Sequence, residues 1–556
     1  MRMPRLFIVL LGLLALNLSL PAQAQSAGAV LRVATRPIQG VTAQTPLPEP
    51  ISLALADGDA RDLVENLFVG LFRYDAATRS AVPLLAREWT VSDDGLVWTF
   101  RLRDDIPWVA YNRERGEITA LRPVSAEDVV AALRRACHPL RPSPQSPAIY
   151  VIQGCYTAAH ANPLLVTDQR VAAWVGVEAP DSTTLVIRLA YPVAYLPSLL
   201  AQPEFRPIPR EFVDFTPAWP MMASSGPYVL TDWSLGEGLT LVRNPHWPDP
   251  LPGNIAQVVL VYSAEEEDRV AAFRQGQADF ARLGEGGPAL FAARPEAVQV
   301  RRGLGVTLLG FSTERAFVRE LGVRRALAWA LDREALLAAL PGAAVLPVAT
   351  LTPPGVIAGP PADIGVGFEP EAARAALAGA GFANCGGVPE IIELAVLPGQ
   401  EPLAEQIVAG WSAALGCAPD LFAVRAISQQ RLVDIGRSLI DAENTTRPHL
   451  WLVPWRMTYL DAHGGAADAF HCQFGYFVSG LPCGPLDALL DWAGATASGP
   501  QRADIYARIE ARFFGPAGLY PAVPLWAEGE YVGVAAGLSG VGDFGPAWWG
   551  DWRKAP

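Results

Sequence analysis

The 556-residue sequence contains one lysine, Lys554, and no Cys-x-x-Cys pair. After its first two dozen residues it has no apolar run long enough to cross a bilayer. Each absence excludes something. A Walker A phosphate loop needs an internal lysine, and neither a Gly-x-Ser-x-Gly elbow nor a His-Glu-x-x-His metal motif occurs. Gly236-Glu-Gly238 lacks the third glycine of a dinucleotide fingerprint and reads as a hairpin turn. Ala326 to Ala339 is rich in apolar residues, but Asp332, Arg333 and Glu334 in its middle are too costly for a bilayer. Positive charge is also short: a net charge of −13 opposes nucleic acid, which is held by Lys and Arg against its phosphates. With catalytic signatures missing, binding without chemistry is the expectation, and a secreted hydrolase is the rival reading.

What is present begins at the N-terminus. Arg2 and Arg5 precede an apolar stretch from Leu6 to Leu20, followed by Ala22-Gln23-Ala24. That order is the secretory-signal pattern, with cleavage after Ala24 and an exported chain starting at Gln25. The alternative, a membrane anchor, needs a longer span of about 20 residues. Gln25, not a cysteine, stands directly after the expected cleavage site, so a lipoprotein linkage has no acceptor there. The six cysteines form three sequence-local pairs: Cys137 with Cys155, Cys385 with Cys417, and Cys472 with Cys483. Behind an export signal an even count points to disulfides, and neighbour pairing is the simplest connectivity. Zinc on Cys472, Cys483, His463 and His471 is the alternative, although the spacing matches no common zinc pattern.

The chain is longer than one domain, and strand and helix patterns alternate along it, which gives an α/β class. Val30 to Thr35 reads as a strand and Leu63 to Phe72 as a helix on its apolar period. Trp89 to Arg103 is a hairpin turning at Asp94-Gly95. Ser125 and Asp128 form a capping box for a helix running towards Cys137. Pro139 to Pro147 is a loop, and Val323 to Leu340 reads as one long helix.

Several segments occur in a fixed order: Val82-Pro-Leu-Leu-Ala86, the hairpin Trp89 to Arg103, Pro123 to Val129, Ser225-Gly-Pro-Tyr228 leading into Leu241 to Pro245, Val323 to Glu334, Leu486 to Ala493, and Tyr520 to Trp526. Together they make the chain resemble extracellular solute-binding proteins of family 5, the peptide- and nickel-type receptors of ABC importers. The resemblance implies a type II, two-lobed periplasmic binding protein with mixed sheets, three domains and a hinge. Domain I would combine 25–53, 192–310 and 525–556; domain II would be 54–191, and domain III 311–524. The hinge would lie near Phe311 and Pro524. A monomer without cofactor is implied, with a small-molecule or peptide ligand and inner-membrane permease subunits as partners.

The family's peptide receptors carry a W-x-x-D-Y pattern whose Asp holds the peptide ammonium. Trp455 and Tyr459 match it, but Thr458 stands at the Asp position. Asp461 is the candidate substitute, and members lacking that Asp take other solutes, including sugars and opines. Arg456 would face an acidic ligand group or pair with a neighbouring carboxylate. Tyr150, Asp57 and Asp59 are further candidate contacts, with a packed tyrosine and a helix N-terminal acid pair as their alternatives. Two measurements on protein recovered from the exported fraction check this reading. N-terminal sequencing is expected to start at Gln25, and iodoacetamide to label no thiol before reduction. An uncleaved N-terminus or a reactive thiol would contradict it.

Overall fold

Two long antiparallel strands, Val298–Phe311 and Ala522–Val534, run through the centre of the molecule. The computed structural model describes residues 28–37, 58–140, 146–212, 222–234, 236–284, 291, 294–338, 340, 342–361, 364–437, 447–477 and 483–556. The expected signal peptide (1–24) and most of 25–53 lie outside these. Among the described residues no helix is long and apolar enough to cross a membrane.

The central sheet has eleven strands. Its order is Tyr228–Ser234, Gly238–Arg243, Ile255–Tyr262, Ala29–Thr35, Phe280–Leu283, Ala522–Val534, Val298–Phe311, Leu450–Arg456, Ile392–Val396 and Phe422–Ala426; Val345–Pro347 adds to Ala522–Val534. One end packs into a core that includes Leu31, Phe72, Phe100, Trp108, Leu133 and Trp552. The other end packs into a second core with Val306, Phe311, Leu327, Trp411, Leu450 and Leu525. The molecule therefore has two lobes. Smaller sheets enlarge the first lobe, one built from Ala86–Val91, Val97–Leu102, Thr184–Arg188 and Val177–Asp181.

The two long strands change lobe where their ladder breaks. Arg302 pairs with Gly529 and pairing resumes at Val306 with Ala527, so Gly303, Leu304 and Gly305 face Glu528 alone. A Cβ on Gly305 would meet the Glu528 carboxylate, the movable end of a side chain. Of the expected hinge positions, Phe311 is buried in the second core and pairs with Leu450, and Pro524 pairs with Leu308 where the ladder shifts register a second time.

Local signals mostly became the expected elements. The hairpin forms with Gly95 at φ 72°, the left-handed conformation its turn requires. The Asp128 carboxylate accepts from the Ser125 backbone N–H at 2.9 Å, closing the capping box over helix Ala126–Ala136. Two helices differ. The first ends at Leu67, because Phe72 is taken by a strand paired with Pro83. The long helix splits into Leu321–Trp329 and Arg333–Ala338, because the Asp332 side chain accepts from Ala335 N–H at 3.0 Å and starts a new helix. Within the expected proline-rich loop, Ser146–Ile149 is a short helix, and 141–145 lie outside the described residues.

All three neighbour pairs are disulfides: Cys137–Cys155, Cys385–Cys417 and Cys472–Cys483. The zinc alternative fails, since Cys472 and Cys483 are bonded to each other and His463 is bound to Tyr506. Packing of the second lobe depends on Trp411, fully buried with its indole N–H donated to Leu327 O at 2.9 Å. Trp411→Ala is expected to cost about 3–5 kcal/mol in urea denaturation. A loss below about 1 kcal/mol would show that this core repacks freely.

Candidate ligand-binding site

The strand Leu450–Arg456 leaves the second core and continues through Met457, Thr458 and Tyr459 to Asp461, which caps helix Ala462–Phe470. This run meets the first lobe at Tyr195 and the helix Leu196–Leu200 that follows it. The Tyr195 ring lies parallel to Tyr459, 5.5 Å away with 4° between planes. It also stacks on His463 at 4.4 Å and receives the Arg502 guanidinium at 5.7 Å. Ala194 N–H donates to Gly494 O at 2.8 Å, a backbone bond from one lobe to the other.

Beneath the stacked rings sits a fully buried ion pair. Arg502 donates to both Asp461 oxygens at 2.6 and 2.7 Å. Ser198 of the first lobe donates its hydroxyl to the same carboxylate at 3.0 Å, and His463 N–H completes the helix cap at 3.0 Å. Every Asp461 oxygen is thus engaged, as a buried charge requires. His463 shares a 2.8 Å hydrogen bond with the Tyr506 hydroxyl, and burial, aided by the Arg502 charge, pushes its pKa down to about 3, so it is neutral. Burial likewise raises the Tyr195 and Tyr459 hydroxyls well above the usual phenol range.

This geometry corrects several sequence-based expectations. Asp461 does not stand in for the missing ammonium anchor, because Arg502, Ser198 and the helix cap consume its oxygens. Arg456 pairs with Glu528 at 2.8 Å beside the ladder break. Trp455 is buried against Tyr476 and Phe477. Tyr150 packs on Tyr156 and His160 within the first lobe, apart from the other candidates. Tyr459 is at the lobe junction, and Thr458 is half-buried beside it. Asp57 lies outside the described residues; Asp59 falls on helix Gly58–Leu67, and its side chain is likewise outside them.

Sequence reasoning missed Tyr191, Tyr195, Asp468, Arg502 and Tyr506. One signal was available: Asp468 is the only charged residue, histidines aside, between Asp461 and Asp487. Its backbone carbonyl accepts from Tyr476 N–H at 2.7 Å.

The profile of bacterial extracellular solute-binding proteins, family 5 (middle region), matches residues 80–474. The chain belongs to this family. Among curated relatives, the probable deoxycholate-binding periplasmic protein YgiS of Escherichia coli is 27% identical over 54% of this chain and 54% of its own length. The periplasmic oligopeptide-binding protein OppA of Salmonella typhimurium is 29% identical over 52% and 51%. The chain spans about half the length of the curated relatives it matches. Solved structures share the fold more completely. The unliganded open form of the murein tripeptide-binding protein MppA superposes with a TM-score of 0.74, at 21% identity, covering 93% of this chain and 96% of that one. Haemophilus influenzae OppA in complex with RPPGFSPFR gives 0.60, at 20% identity, covering 94% and 98%.

The buried pair at the junction is testable by itself. Arg502→Met leaves Asp461 buried without its counter-charge and is expected to cost about 3–5 kcal/mol in urea denaturation. A loss under about 1 kcal/mol would mean that Asp461 is not dependent on Arg502.

Proposed function

We propose that this chain is the substrate-binding component of an ABC importer, capturing peptides or peptide-like solutes outside the inner membrane. It delivers them to permease subunits and performs no chemistry of its own. The observation that carries this reading is the construction of the fold around two cores. The long strands Val298–Phe311 and Ala522–Val534 join them, and their ladder breaks at Gly303–Gly305. A break of that kind lets the lobes rotate while each core stays intact, and a solute touching both lobes biases the closed arrangement.

The aromatic junction supports the same reading. Tyr191 and Phe474 lie 45% and 53% exposed on opposite lobes, stacked 6.5 Å apart. Rigid aromatics of this kind supply contact area at little entropic cost. The export signal and three disulfides fit a protein working in an oxidising compartment. The peptide reading weighs the family's peptide-binding relatives against Thr458, which removes one known anchor. A second reading, a different class of solute, is favoured by that same threonine.

Mass spectrometry of material released from the purified protein, followed by calorimetry with trialanine, tests the proposal. Peptides are expected to be released intact, and trialanine at about 100 times its Kd to stabilise the fold by about 2.7 kcal/mol. Recovery of a non-peptide solute would overturn the peptide assignment. Conversion of the bound molecule would overturn the non-enzymatic reading.

A further inference from the structure

Two ring pairs cross the lobe junction, and they differ in what they leave open. Tyr195 and Tyr459, 5.5 Å apart and 4° from parallel, are each 2% exposed, so their faces are closed. Tyr191 and Phe474 also come one from each lobe and lie 20° from parallel, but both are about half exposed. Their centroids stand 6.5 Å apart, whereas Phe474 stacks on His471 at 3.6 Å. A planar ring placed between two parallel rings needs a spacing of about 7 Å, two contacts of about 3.5 Å each, which is close to the spacing found here.

Both rings are set in place before any ligand arrives. The His471 ring, 11° from parallel, covers one face of Phe474, so the exposure of Phe474 belongs to its other face and its edges. His471 is itself held: its Nδ1 accepts from Gln473 N–H at 3.2 Å, and its Nε2 lies 3.3 Å from Asp491 on helix Pro485–Ala495. The turn from His471 to Phe477 is bonded along its length. Cys472 N–H donates to the Asp487 carboxylate at 2.8 Å, Gly475 N–H to His471 O at 2.8 Å, and Phe477 N–H to Ala469 O at 2.9 Å. A Cβ on Gly475 would stand 2.6 Å from the His471 backbone N and O, so a glycine lets the turn close this tightly. The Cys472–Cys483 disulfide ties the same turn to the start of the next helix. On the first lobe, Ala190 N–H donates to Val151 O at 2.8 Å just before Tyr191, and Pro192 restricts the backbone just after it. Three residues on, the Ala194–Gly494 bond crosses between the lobes. Rings fixed in this way lose little freedom when a ligand uses them.

We propose that Tyr191 and Phe474 form a stacking subsite for a planar aromatic ring carried by the ligand, held between them with one face on each lobe. The subsite rests on the binding reading above and deepens it by naming the chemistry of one ligand group. A ring held there touches both lobes and favours their approach. Neither side chain is charged, so selection is by flatness and π contact, a planar ring over a puckered or branched apolar group of the same size.

The test titrates benzamide and cyclohexanecarboxamide into the full exported chain and follows them by ligand-observed NMR. The two are neutral amides of similar size, and the first alone has a planar ring. The native protein is expected to bind benzamide at least about fivefold more tightly than cyclohexanecarboxamide, with the benzamide ring protons moved upfield by the flanking faces. Phe474→Leu and Tyr191→Leu keep apolar bulk but remove a ring, and each is expected to reduce the preference to within about twofold. Phe474→Tyr is expected to retain it, which separates stacking from a disturbed turn. Because both positions are half exposed, all three variants are expected to keep the native circular dichroism spectrum. No preference in the native protein, or a preference that survives either leucine substitution, would overturn the subsite. The outcomes also separate the two proposals. A preference for the planar ring without trialanine binding sinks the peptide reading and keeps the subsite; trialanine binding with no such preference does the reverse.

Discussion

A buried carboxylate must be neutralised, and at the junction of the two lobes that requirement organises the structure. Asp461 is buried because it caps helix Ala462–Phe470 at the point where the second lobe meets the first. Its charge brings Arg502 in from a distant helix, and Arg502 in turn lies over the Tyr195 and Tyr506 rings. Ser198 completes the set from the opposite lobe. The stacked column of Tyr459, Tyr195 and His463 stands on this pair, and the Ser198–Asp461 and Ala194–Gly494 bonds join the lobes beside it.

A solute held between the lobes would favour their approach, and the ladder break at Gly303–Gly305 is the place proposed for their turning.

Much of the fold was legible in the sequence. The Asp94-Gly95 turn, the Ser125–Asp128 capping box and the cysteine pairing are local features whose chemistry is complete within a few dozen residues. The second lobe's long helix was misread because Asp332 starts a new helix within an unbroken apolar period. The site was less legible. Asp461 looks like a free acid until Arg502 is seen beside it, 41 residues away in sequence. Ser198 meets it from 263 residues away. Arg456 likewise meets Glu528, 72 residues away on the crossing strand. Such pairings are set by how two lobes dock, which no local pattern encodes. The register shifts between the two long strands, at Arg302/Val306 and at Thr307/Leu308 opposite Pro524, leave no local mark either, because hydrophobic periodicity runs on through them without interruption.

The central claim is that a solute binds between the lobes and draws them together about the ladder break. Small-angle X-ray scattering of the full exported chain, with and without saturating ligand identified from the purified protein, tests it most directly. A reduced radius of gyration on binding, with the secondary structure unchanged by circular dichroism, is the expected result. Saturation of the protein with no change in its radius would contradict it.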